Sequence, residues 1–164
     1  MIKIIGIDPG LAATGVAVVA GAGVKISSYS YGGIYTSKKM NAPQRLDYIY
    51  SRLKKVIADE APDLMVVEDV FSLENYPKSG ILLGKVVGVI LLAGCRAGLP
   101  VLEIPVREAK QVITGNGRST KTQFEIAVRS LLNQTKAIRP FHASDALGLA
   151  LIGFYRNGRN RIEM

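Results

Sequence analysis

A chain of 164 residues has room for one hydrophobic core, and 48% hydrophobic with 21% charged side chains excludes a largely disordered protein. Lys and Arg number 21 against 13 Asp and Glu, a formal charge of +8 that suits a polyanionic partner as well as a generally basic surface. The single cysteine, Cys95, excludes an internal disulfide and fits a reducing compartment. The first residues lack a basic start, an apolar middle and a small-residue cleavage site, so a cytoplasmic location is expected.

In chain order, Ile2 to Asp8 reads as a strand apolar on both faces, and Thr14 to Ala20 as a second, joined to it by a short Gly-Pro loop. Val24 to Thr36 makes a third, and together they predict an antiparallel meander. Pro43 opens a helix in which Leu46, Ile49, Tyr50, Leu53, Val56 and Ile57 recur on one face, and it ends near Pro62. LMVVEDV, 64 to 70, is a short apolar run and reads as a buried strand. The helix from about Lys78 to Ala97 contains the apolar stretch from Gly80 to Cys95, which carries Lys85 and is shorter than the roughly 20 residues a membrane span needs. It is expected to be buried or at an interface, with Cys95 as a small core residue. VLEIP follows as a last strand, then helices at Val106 to Thr114, Thr120 to Leu132 and Phe141 to Tyr155. From Arg156 the chain is polar, and a frayed tail over 157–164 is expected. Strands first, then strands alternating with helices, predict an α/β domain: a mixed five-stranded sheet covered by helices on both faces.

Three carboxylates stand where this pattern does not need them. Asp8 ends a buried strand, and the following Pro9-Gly10 allows a plain turn explanation. Glu68 ends another apolar strand, where an ionised group needs a partner. Asp145 lies near the start of an apolar helix, where a dipole or capping contact would also account for it. Together they would gather negative charge at the carboxyl ends of two strands, where open α/β sheets place their sites. Clustered carboxylates repel unless a cation neutralises them, and Mg²⁺ prefers oxygen ligands. Two such ions can hold the attacking water and the leaving oxygen of a phosphodiester, so the pattern describes a nuclease. Strand alternation puts Glu68 and Asp69 on opposite faces, and because both faces are apolar it leaves open which one enters the site.

IIGIDPGLAATGVAVV, MVVEDVF, REAKQVITGNGRSTKTQ and HASDALGLAL, in that order and spacing, resemble RuvC-type Holliday-junction resolvases of the ribonuclease H-like superfamily. The resemblance spans nearly the whole chain and implies a ribonuclease H-like nuclease domain over 1–156. It implies a homodimeric endonuclease, dependent on Mg²⁺ with Mn²⁺ as a substitute, that nicks opposed strands of a four-way junction in recombination and repair. By position it assigns Asp8, Glu68 and Asp145 as catalytic metal ligands, favouring Glu68 over Asp69. The family often has a fourth acid three residues before the last one; His142 stands there, as histidine does in some members, and is expected as a ligand or proton handler. The resemblance also places Lys110 and Lys121 near the scissile phosphate, with Arg118 in the same basic loop, and Phe71 at the DNA, followed by a loop that adds Tyr76. Gly80, Gly84 and Gly88, spaced by four among residues that include Val87 and Leu91, suit a close helix contact and with the resemblance are expected at a dimer interface. RuvA and RuvB are the partner proteins it implies.

Three rival readings compete. The sugar-kinase and actin-like ATPases share a similar opening but need two such domains. The YqgF-like nucleases share GIDPG, yet MVVEDVF and GNGRSTKTQ fit them less well. A non-catalytic module for branched DNA is disfavoured by the presence of Asp8, Glu68 and Asp145 together.

Overall fold

The computed structural model describes residues 1–69 and 77–160. Their elements run β1 (Ile2–Asp8), β2 (Ala13–Ala22), β3 (Lys25–Tyr35), α1 (Ala42–Glu60), β4 (Leu64–Asp69), α2 (Pro77–Arg96), β5 (Val101–Pro105), α3 (Val106–Thr114), α4 (Lys121–Leu131) and α5 (Phe141–Asn160). The strands form one sheet in the order β3-β2-β1-β4-β5. The first three strands are the expected antiparallel meander, closed between β2 and β3 by a two-residue turn in which Gly23 takes a φ of +57°. β4 and β5 run parallel to β1, which brings the carboxyl ends of β1 and β4 to one edge.

Because β1 and β4 are apolar on both sides, the centre of the sheet is buried on both sides, whereas the edge strand β3 is largely exposed. Ile4, Val19 and Val66 face α5 and α4, packing with Phe124, Leu147, Ala150 and Phe154. Ile5, Ile7, Val18, Met65 and Val67 face α1 and α2, packing with Ile49, Leu53, Val86 and Ile90. α1 starts where Asn41 and Gln44 form a reciprocal capping box, and α4 starts in the same way at Thr120 and Gln123. α5 lies very close to β1, where a Cβ on Gly6 would collide with the backbone of Ala146 and Ala150.

Two sequence expectations need correction. α5 continues to Asn160 rather than ending near Tyr155, because Asn157 donates to the Gly153 carbonyl at 2.9 Å and Arg156 pairs with Glu108 of α3 at 2.7 Å. Cys95 is exposed rather than in the core, since Val86, Ile90 and Ala93 form the buried face of α2.

Candidate active site

Alternation along β1 places Gly6 and Asp8 on the α5 side, opposite Ile5 and Ile7. On β4 the same alternation places Val66 and Glu68 on the α5 side, while Met65 and Val67 face α1 and α2. Ile7 pairs with Val67, so Asp8 and Glu68 lie side by side on parallel strands. Glu68 is therefore the acid that shares a pocket with Asp8, and Asp69 is turned to the other face. α5 supplies Asp145 from above. These three carboxylates line a small cavity of about 100 Å³ together with Lys110 of α3, Lys121 of α4 and the apolar Val106, Ala109, Phe124 and Leu149.

The bland explanations of the acids do not hold. Among the described residues no backbone group donates to the Asp8 side chain. The turn after it is instead held by Thr14 donating to the Gly10 carbonyl at 2.7 Å and Thr36 donating to the Leu11 carbonyl at 2.5 Å. Arg45 of α1 secures that arrangement by donating to Thr36 at 2.7 Å. Asp145 is the fifth residue of α5, beyond the first turn, so it caps nothing.

The electrostatics follow from this crowding. Burial pushes the Asp8 carboxyl up to about 8, with the charges of Glu68 and Asp145 adding to the effect and Lys121 opposing it. Burial, then Asp145, raises Glu68 to about 7, against Lys121 and Lys110. Asp145 is also raised by burial, though Lys121 sits 3.6 Å away as its counter-charge. Among the described residues no three His, Cys, Asp or Glu side chains close on a single point as they stand. The carboxylates stand open around the cavity, and their shared surplus of negative charge and all-oxygen donor set fit a hard divalent cation.

His142 is half-buried one turn before Asp145, and burial lowers its pKa while Asp145 raises it. Its ring does not line the cavity; its Nε2 instead lies 3.2 Å from the Tyr35 hydroxyl at the end of β3. Sequence reasoning missed Tyr35, although the meander itself carried the signal: β3 runs parallel to β1, so its last residue arrives at the same edge as Asp8. Arg118 is exposed on the loop between α3 and α4 and does not reach the carboxylates. Phe71 and Tyr76 lie outside the described residues. On α2, Gly84 and Gly88 are exposed, Gly80 and Leu91 half-buried, and Val87 is only 8% exposed. The outward residues beside the glycines are Ile81 and Leu92.

A mixed five-stranded sheet of this order, with acids from β1, β4 and α5 meeting at one edge, defines a ribonuclease H-like nuclease. Residues 4–153 match the family model of the crossover junction endodeoxyribonuclease RuvC, and the chain belongs to that family. It is 40% identical to the RuvC of Rhodopirellula baltica over 93% of this chain and 85% of that protein. It is also 40% identical to the RuvC of Thermosipho melanesiensis, over 90% and 94% respectively. The solved structure of Thermus thermophilus RuvC in complex with Holliday junction substrate superposes with a TM-score of 0.86 at 30% identity, covering 98% of this chain and 97% of that one. The yeast mitochondrial resolvase Ydc2, at 10% identity and a TM-score of 0.58, shares the fold. The family's nucleases are metal-dependent.

Proposed function

We propose that this protein is a homodimeric endonuclease that resolves four-way DNA junctions by nicking two opposed strands, using Mg²⁺ or Mn²⁺ held by Asp8, Glu68 and Asp145. The observation that carries this reading is the pocket in which three carboxylates from separate elements face one another beside Lys110 and Lys121. Bound divalent ions would activate water and stabilise the charge that develops on the scissile phosphate. Asp8, Glu68 and Asp145 would hold them as carboxylates, which would require Asp8 and Glu68 to be deprotonated and Asp145 to be released from its 3.6 Å contact with Lys121. Lys121, with an exposed side chain, and Lys110 then meet the phosphate, and His142 serves as a further ligand or carries a proton. Arg118, Phe71 and Tyr76 supply outer DNA contacts.

The dimer is read from α2. Ile81 is 65% and Leu92 46% exposed, and a Cβ on Gly84 or Gly88 would meet nothing within 4 Å among the described residues. A two-fold contact along this ridge would give each of the opposed strands its own active site. RuvA and RuvB are proposed as partners and the cytoplasm as the location.

The test is incubation with Mg²⁺ and a mobile four-way junction, with linear duplex and an RNA/DNA hybrid as controls. Paired, symmetric nicks in the junction alone are expected. Cleavage of the hybrid alone would make the protein a ribonuclease H, and junction binding without cleavage under Mg²⁺ or Mn²⁺ would make it a binding module.

A further inference from the structure

His142 is the chain's single histidine, and among the described residues its ring has one hydrogen-bond partner, Tyr35. The contact is built from both sides. The Tyr35 and His142 rings meet edge to face, with centroids 5.6 Å apart and planes at 66°. Tyr35 reaches the imidazole by folding back over Gly33, where a Cβ would stand 2.9 Å from both its ring Cζ and its hydroxyl. Gly33 pairs with Gly15 on β2, and Gly15 pairs with Asp8 on β1. Gly15 has its own purpose, since a Cβ there would collide with the backbone carbonyl of His142. One rung of the sheet, Asp8-Gly15-Gly33, thus carries a carboxylate, a seat for the first turn of α5 and a channel for the tyrosine.

We propose that Tyr35 is a positioning residue for His142: its phenolic oxygen accepts the Nε2 hydrogen, which fixes the ring and leaves Nδ1 as the nitrogen that acts at the carboxylate site. This rests on the reading of His142 as a ligand or proton carrier. An imidazole in either role needs one nitrogen unprotonated and aimed, and a partner on the other ring nitrogen is the common means of fixing both tautomer and orientation. The opposite polarity, with the tyrosine donating, would put the ring hydrogen on Nδ1 and leave no lone pair for chemistry.

The test uses Tyr35→Phe, which keeps the ring over Gly33 and removes only the hydroxyl. With one histidine, the ¹⁵N signals of the imidazole in the metal-free protein need no assignment. At pH 8, where an ordinary histidine is neutral, the native protein should show the Nε2–H tautomer and Tyr35→Phe a mixture of both. An Nδ1–H tautomer in the native protein, or a tautomer unaffected by Tyr35→Phe, would overturn the proposal. In nicking assays Tyr35→Phe should lower kcat roughly tenfold with junction affinity and melting temperature unchanged. It should have no further effect in the His142→Ala background. Equal losses in both backgrounds would make Tyr35 a DNA contact instead. If His142→Ala alone nicked at the native rate, the role of His142 would fall and this proposal with it; an inactive His142→Ala beside an unaffected tautomer would strike Tyr35 alone.

Discussion

Asp8 and Glu68 retain protons far above the usual carboxylate range because burial and mutual repulsion penalise their charged forms. Both therefore bind more protons in the folded than in the unfolded chain, from about pH 4 up to their raised values. The metal-free fold should accordingly lose stability as pH rises through that window, and keep the full contribution below it. A divalent cation competes with those protons, so Mg²⁺ binding should release protons near pH 7 and tighten as pH rises from 6 to 9. Calorimetry in two buffers of different ionisation enthalpy reads that release directly, and identical heats in both would contradict the assignment. Asp8→Asn keeps the shape but removes a charge, so it should abolish nicking and leave junction binding measurable by gel shift. Loss of binding in step with cleavage would remove Asp8 from the metal site.

Among the elements, the contact of α5 with β1 does most to set the site, because it fixes the height of Asp145 above Asp8 and Glu68. Gly6 permits that contact, and Gly6→Ala must push α5 outward. The expected loss is about 1–3 kcal/mol or more, read from urea unfolding, with weakened metal binding in whatever remains folded. A stability and metal affinity equal to the native protein would show that the helix does not bear on Gly6. α2 makes the contrast, since among the described residues nothing lies within 4 Å of a Cβ on Gly84. Gly84→Leu should leave the melting temperature of the protomer unchanged yet weaken the dimer. Light scattering that gave a monomer for the unmodified protein at micromolar concentration would discard the ridge as an interface. Glu125, 1% exposed, braces the segment leading into α5: it accepts from the Ile138 backbone at 2.8 Å and lies 3.1 Å from Arg129. Glu125 does not line the cavity, and a buried acid spent on these contacts reads as scaffold rather than chemistry.

For the molecule as a whole, a charge of +8 on 164 residues sets how it meets DNA. Binding that neutralises several phosphates should weaken linearly as log affinity against log salt, with a slope close to the number of contacts. Removing Lys121 or Arg118 should each reduce that slope by about one. An affinity independent of salt between 50 and 200 mM would exclude a phosphate-based interface of the kind the basic surface suggests.

The strand and helix pattern, the mixed five-stranded sheet and three separated acids were legible in the sequence, because apolar periodicity and the residues that end an element are local properties. Val106 to Thr114 is a helix with those bounds, and β1 and β5 begin and end where their apolar runs do. Resemblance named Glu68, but the residues alone left it level with Asp69, since both faces of β4 are apolar. Tertiary packing decides between them: α5 covers the face that carries Val66 and Glu68. Packing likewise left Val87 buried and Cys95 exposed on one helix, because an almost wholly apolar segment has no polar face to announce which side is buried. Tyr35 and His142 lie 107 residues apart, and only the return of β3 to the edge beside Asp8 makes them neighbours. Local sequence selects each element's form, whereas which side chains meet depends on distant elements competing to bury the same sheet.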